Sequence, residues 1–374
     1  MYRGVRVRQV DKHHITVDMN GYIERELGPK SGARFDVPKR RKKGDELRLL
    51  EKEGQDLYRT IIGKFIWCVV NTRADVAVRV SQHASFLGKA TVSQAIGVNS
   101  IADEISERQI VMHFRKLADI KHPRRLEILS DAAFKRADEP DNKSRGGMIL
   151  CLGVDKCVSD SVSVLGWSSK KILRINKSAT GAETLNASAC LDEVDFVYHL
   201  AQSFYPTLQY TSVCFTDSYS LTSTQDKYCR DVNPNLIVDV SIIRQKVRSG
   251  QCILMHVPGE SLPTDGLTKN ERKAQQPLID FLRDYRFGIN GVPYEFVDAY
   301  AATFIQGEID GGRIDRNSFS CDQLKNKLDP YVEGFVRPQL LDTQADWWQC
   351  SADSLPSSTN PQYFAAVAAW AMVC

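Results

Sequence analysis

Residues 124–171, RRLEILSDAAFKRADEPDNKSRGGMILCLGVDKCVSDSVSVLGWSSKK, decide the fold. Leu126–Leu129 is a short apolar run that ends in Ser130–Asp131. Gly147–Gly153 (GMILCLG) is continuously apolar between glycines, as a strand buried on both faces can be. Val162–Trp167 alternates with serines and leads into Trp167–Lys171 (WSSKK). The three runs lie close enough in sequence for an antiparallel meander. Downstream, Thr180–Phe204 has helical character, with Ala182, Leu185, Ala189, Phe196 and Leu200 on one broad face, and Thr211–Thr216 (TSVCFT) alternates as a strand does. Leu236, Val240, Ile243 and Val247 have helical spacing, closed by Gly250 at the expected C-terminal position. Cys252–Val257 reads as another strand, and a helix starts at Thr264. The order β β β α β (α) α β α predicts a mixed α/β domain on a five-stranded sheet.

Upstream the period changes. Asp45–Val80 reads as mainly helical, because Leu47, Leu50, Leu57, Ile61, Phe65 and Val69 recur mostly at steps of three and four. A second helical stretch, Ile101–Ala118, precedes a breaker at Lys121–Pro123. Past Tyr300 the pattern fades into turn-rich, polar sequence. The expected units are therefore 1–120, mainly helical, then 121–290, α/β, then a poorly specified acidic tail over 291–374. A chain of 374 residues has ample length to bury a core.

Charge excludes one class of function. The net charge is only +3, too small for a nucleic-acid coat that works through a large overall field. The basic excess sits at the front: residues 1–60 hold 15 Lys+Arg against 10 Asp+Glu, and residues 301–374 hold 5 against 9. Its densest run, Pro38–Lys43 (PKRRKK), reads as a solvated loop or as a phosphate-contacting or nuclear-import patch. The ten cysteines form no CxxC pair, which fits reduced thiols better than a disulfide framework or a zinc site. The adjacent His13 and His14 would point to different faces and are expected at the surface, not as ligands. No apolar N-terminal core marks a secretory signal, and no apolar window is long enough to span a membrane. An intracellular protein, cytoplasmic or nuclear, with no membrane partner is the expectation.

Four carboxylates fall at informative places on this map. Asp131 follows the first apolar run, and Glu183 lies in the first turn of the long helix. Asp217 ends the fourth strand, and Asp265 begins the last helix. Strand ends and helix starts at one sheet edge can converge. Clustered carboxylates raise one another's pKa unless a cation intervenes, and Mg²⁺ is the natural hard occupant for oxygen ligands. Two such ions support phosphodiester hydrolysis. Taken singly, each acid is as well explained as a surface charge or a cap; Asp265 after Thr264 could simply cap its helix.

The strings SDAAF, DNKSRGGMILCLG, WSSKK, SATGAETLNA, VCFTDSYSL and HVPGESLPTDGLTK, in this order between Ser130 and Lys269, resemble the ribonuclease H domain of copia-type retrotransposon polyproteins. Upstream, YRTIIGKF (58–65) and NTRADVAV (71–78) are similar to the thumb and connection end of that family's reverse transcriptase. The polymerase's own YVDD-like aspartates do not occur in the chain, so a fragment without polymerase activity is expected. The resemblance implies a ribonuclease H-like fold preceded by a helical thumb/connection remnant. It also implies Mg²⁺-dependent cleavage, Mn²⁺ being a possible substitute, of the RNA strand of an RNA–DNA hybrid, with no small-molecule cofactor. Asp131, Glu183 and Asp217 would ligate one ion, and Asp131 with Asp265 a second. Ser168, Ser169, Lys170, Lys171 and Ser218 are candidate backbone contacts, with a polar turn as the plain alternative for the first four. Trp167 reads as core before base-stacking platform, and His256 is expected in the strand ahead of the last loop. Asn233–Asn235 stands where many members carry a Lys-His pair. The rival readings are a silent nucleic-acid-binding or interaction remnant and another nuclease of the same superfold, such as an integrase or a junction resolvase.

Overall fold

The computed structural model describes residues 4–37, 44–115, 124–134, 143–154, 162–203, 212–223 and 233–284. The basic run at 38–43, the breaker at 121–123 and the tail over 291–374 lie outside them. The described residues fall in one compact unit.

The N-terminal region opens with a hairpin, β1 (Arg6–Asp11) and β2 (His14–Asp18), followed by α1 (Asn20–Leu27). Then come α2 (Lys52–Asn71), a 3₁₀ turn at Ala74–Val76, α3 (Ala77–Ala84), α4 (Val92–Glu107) and β3 (Val111–Arg115). In α2 the residues Tyr58, Ile61, Ile62, Phe65 and Cys68 are all buried, and their spacing makes one continuous apolar stripe. Helix α4 starts at a capping box, Thr91 with Gln94. It ends sooner than the sequence periodicity suggests. Ile110, Met112 and Phe114 are buried alternately, so residues 111–115 form a strand that pairs antiparallel with β2. The region is thus mainly helical, but a three-stranded sheet of order β1-β2-β3 is added to it. His13 is exposed; His14 is half-buried, with Nε2 2.9 Å from Nδ1 of His113 across the sheet.

The second sheet follows the expected order closely. Its strands are β4 (Arg124–Ala133), β5 (Arg145–Val154), β6 (Ser163–Lys171), β7 (Ser212–Thr216) and β8 (Cys252–His256). Helix α5 (Ala179–Gln202) precedes β7, and α6 (Tyr219–Ser223) and α7 (Ile237–Arg248) lie between β7 and β8. Two further helices, α8 (Asp265–Thr268) and α9 (Arg272–Asp284), follow β8. The spatial order is β6-β5-β4-β7-β8, with β4, β5 and β6 antiparallel and β4, β7 and β8 parallel, a ribonuclease H-like arrangement. Gly250 ends α7 with φ of 73°, the left-handed conformation a helix stop requires.

Strand alternation divides the sheet into two unlike faces. Leu126, Ile128, Met148, Leu150 and Leu152 face α5 and pack with its Ala187, Cys190, Leu191 and Val194 in one apolar cluster. The next residues along, Leu129, Asp131, Gly147 and Ile149, point the other way. That second face is covered by α8 and by the N-terminal region: α3 and β3 touch β6, and α8 touches β4, β5 and β6. Continuous burial on both faces explains why GMILCLG has no polar alternation.

Candidate active site

Register brings the first two acids together. In the parallel pair β4–β7, Ser130 lies opposite Thr216, so the next residues, Asp131 near the end of β4 and Asp217 just past the end of β7, emerge side by side. Glu183 reaches them from α5, where its Oε1 accepts a hydrogen bond from the backbone N–H of Ala132 at 3.0 Å. One carboxylate oxygen from each of Asp131, Glu183 and Asp217 lies within 4.8 Å of the others. Asp131 and Glu183 are buried, and Asp217 is half-buried.

Two glycines in β5 set how closely the covering helices approach. A Cβ on Gly146 would fall 1.9 Å from Asn186 Oδ1 of α5. Its absence lets Asn186 Nδ2 come within 2.8–3.0 Å of Ser130 Oγ and of the carbonyls of Asp131 and Gly147. Gly147 faces the other way: a Cβ there would meet Thr268 Cγ2 at 2.8 Å and the Thr264 carbonyl at 3.0 Å. Helix α8 therefore lies directly on β5, and the Thr268 hydroxyl donates to Asp131 Oδ2. On the remaining side, the chain at Gly259 passes so close that a Cβ would sit 2.9 Å from Asp217 Oδ2.

This packing gives the site unusual electrostatics. Burial, then the charges of Asp131 and Asp217, push the Glu183 carboxyl well above its ordinary range. Asp131 moves the same way, chiefly through burial, with the Thr268 hydrogen bond opposing and Asp217 reinforcing. Asp217 is raised too, first by burial, with Lys269 pulling it back and Asp265 adding to the rise. Glu183 Oε2 is buried and has no hydrogen-bond partner among the described residues. An all-oxygen set of three carboxylates, one oxygen of it unpartnered, fits a hard divalent cation.

The fourth acid is placed differently. Asp265 starts α8 near the cluster but stands outside the three-carboxylate group, and Lys269 Nζ pairs with its Oδ1. Burial works against the charged lysine, yet the hydrogen bond it donates to Asp265 and the charges of Asp131, Asp265 and Asp217 together raise its pKa.

Among the expected backbone contacts, Ser169 lies in the same cross-strand row as Asp131, through Gly147, and its Oγ accepts from Arg145 Nη1 at 3.2 Å. Lys170 is exposed, on the α5 side, with Nζ 3.5 Å from Glu193. Ser168 and Lys171 are half-buried on β6. Ser218 directly follows Asp217, and its Oγ accepts from the Leu221 N–H at 3.3 Å. Trp167 is buried and donates its indole N–H to the Val69 carbonyl at 2.9 Å, a core role. His256 is the last residue of β8, exposed, its ring edge-on to Tyr219 at 5.9 Å. Thr268 and Asn186 went unassigned in the sequence because a neutral hydrogen-bonding side chain carries no pattern of its own; their signal was membership of the LTK and ETLNA strings.

No family model matches the chain, and no curated protein matches it. Among solved structures, the solution structure of the PFV RNase H domain is similar at 14% identity over 43% of this chain and 92% of that one, with a TM-score of 0.24. The crystal structure of prototype foamy virus protease-reverse transcriptase is similar at 12% identity over 75% of this chain, with a TM-score of 0.26. This chain spans 38% of that second protein's length. At such scores the similarities place nothing in the site; the fold rests on strand order and the site on its own geometry. No described helix is long and apolar enough to cross a membrane.

Proposed function

We propose that the chain is a retrotransposon-derived ribonuclease H of copia type, cleaving the RNA strand of an RNA–DNA hybrid in a Mg²⁺-dependent reaction. The observation that carries this reading is the convergence of Asp131, Glu183 and Asp217 within 4.8 Å at the ends of two neighbouring parallel strands. Asp131, Glu183 and Asp217 would hold the first ion; Asp131 with Asp265 would hold a second once Asp265 is released from Lys269. Bound Mg²⁺ supplies a polarised water and neutralises charge on the phosphate. The chain's own residues do the rest. The Ala132 N–H fixes one Glu183 oxygen, the Thr268 hydroxyl fixes one Asp131 oxygen, and Asn186 ties the strand carbonyls beneath them. A water oxygen would bond to phosphorus as the bridging P–O bond breaks, the water giving up one proton to solvent and the leaving oxygen taking one up. Hybrid selectivity would come from shape and 2′-hydroxyl contacts rather than base reading, with Ser168, Ser169, Lys170, Lys171 and Ser218 as the nearest candidates.

The test is a labelled RNA–DNA hybrid with the full chain, in Mg²⁺ or EDTA, beside Asp131→Asn. Cleavage that needs the metal, spares duplex DNA and is lost in the variant supports the proposal. A folded chain that binds hybrid in a salt-dependent way but cuts nothing in Mg²⁺ or Mn²⁺ supports the silent-remnant reading instead. Junction or duplex cleavage would favour another nuclease of the superfold.

A further inference from the structure

Beyond the carboxylates, two arginines are fully buried among the described residues: Arg73 braces the N-terminal region internally, and Arg145 ties that region to the sheet. Arg73 is fully buried in front of the 3₁₀ turn at Ala74–Val76. Its Nε and Nη2 grip both oxygens of Asp75 at 2.9 and 2.8 Å, and its Nη1 donates to the Ile105 carbonyl of α4 at 2.7 Å. A buried pair of this kind is strongly destabilising to break on one side, so it fixes the turn against α4. That turn touches α8 and α9, and α3 directly after it touches α8 and β6.

Arg145, also fully buried, works from the sheet side. It lies two residues before Gly147 on β5, so it shares the face of Asp131. Its Nη1 donates to Ser81 Oγ of α3 at 2.8 Å and to Ser169 Oγ of β6 at 3.2 Å. Ser169 is paired with Gly147, and Gly147 with Asp131. The Trp167 indole adds a second tie from β6, to the end of α2. Helix α8, whose Thr268 holds Asp131, is only four residues long and lies between the sheet and these N-terminal elements. So short a helix has little stability of its own, and its position depends on what packs on both sides.

We infer that the N-terminal region is the positioning platform of the carboxylate centre: Arg145, bridging Ser81 and Ser169, and Arg73, bracing the turn at 74–76, hold α8 and the edge strand where Thr268 can orient Asp131. These are positioning residues, fully buried and so closed to substrate. The use of the centre rests on the nuclease reading; its positioning does not. The region is then a working part of the domain, and cutting the chain near residue 120 would strip the cover from Trp167 and α8.

The full chain is the material for the test, with Ser81→Ala and Arg145→Lys as mild variants. Backbone hydrogen exchange is followed in α8, β6 and α5, alongside the thermal midpoint and calorimetric Mn²⁺ binding. Exchange in α8 and β6 should rise about tenfold or more with α5 unchanged, since local opening is set by local contacts. Mn²⁺ affinity should fall about tenfold, as for loss of an outer-shell support, at a midpoint shift of a few degrees. Ser81→Thr, which keeps the hydroxyl, should restore all three. Unchanged α8 exchange, or an equal rise in α5, overturns the platform; so does a lower midpoint with undiminished Mn²⁺ affinity. A wild-type chain that binds no Mn²⁺ sinks the nuclease reading, and α8 exchange still decides the platform.

Discussion

The two faces of the five-stranded sheet are built from adjacent residues and do opposite things. On the α5 face, Leu126, Ile128 and Leu150 meet Leu191 and Val194 in a closed apolar cluster. One residue along each strand, the other face presents Asp131, Gly147 and Ser169 to a four-residue helix and an imported α3. The first face buries hydrocarbon and supplies stability. The second contributes Asp131 to a cluster that Glu183 joins from α5 and Asp217 from the end of β7, where mutual repulsion costs stability. The neighbouring glycines 146 and 147 mark the division, each opening its own face to a different helix.

That contrast can be broken by substitutions aimed at one face at a time. The largest expected effect is Asp131→Asn: hybrid cleavage falls to background, while the metal-free chain melts higher because a destabilising buried charge is gone. Leu150→Ala on the opposite face should do the reverse. It should cost about 2–5 kcal/mol in denaturant unfolding and leave Mn²⁺ affinity of the folded protein within about twofold, since distant sites act independently. A drop in affinity as large as that of Asp131→Asn would abolish the distinction between faces.

The glycine pair sharpens it further. Gly147→Ala pushes against the Thr264 carbonyl and Thr268, so it should lower cleavage more than stability. Gly146→Ala displaces the Asn186 side chain from its three partners, so it should lower stability by about 1–3 kcal/mol, the cost of buried polar groups left unmade. Equal effects of the two on kcat and on the unfolding midpoint would show that the faces are not separable.

Acid pH provides a milder comparison. Asp131, Glu183 and Asp217 all have folded pKa values above their ordinary ones. The folded metal-free chain therefore binds more protons than the unfolded one between the ordinary carboxylate range and the raised values. Stability contributed by these groups is greatest below that window and is lost as pH rises through it. Thermal midpoints of the wild type should fall across the window, those of Asp131→Asn less steeply, and Mn²⁺ should flatten the wild-type profile while leaving that of the variant little changed. The smallest effect belongs to Lys170→Ala: its exposed contact with Glu193 is worth under about 1 kcal/mol, so unfolding should hardly move. If Lys170 meets the hybrid backbone, KM should still rise and the salt dependence of binding weaken.

How much of this was legible beforehand followed from burial. Strands β4, β5 and β8 announced themselves as dense apolar runs and β7 by its alternation, so that Asp131 on β4 and Asp217 after β7 could be placed once the strands were. Strand β1 is exposed along almost its whole length and gives no apolar alternation, so the N-terminal sheet was hidden. Strand β3 follows α4 so closely that Ile110, Met112 and Phe114 blended into the preceding helical pattern. The supports of the site were hidden for another reason. Arg145 reaching Ser81, and Trp167 reaching the Val69 carbonyl, are contacts between distant segments that no local pattern encodes.

The most direct test of the central claim is a calorimetric Mn²⁺ titration of the full chain beside Glu183→Gln. The account predicts binding in the wild type and its loss in the variant, because Glu183 joins two aspartates within reach of one ion and has an oxygen with no hydrogen-bond partner among the described residues. A folded wild type that binds no Mn²⁺, or a variant that binds it equally well, would contradict the metal centre.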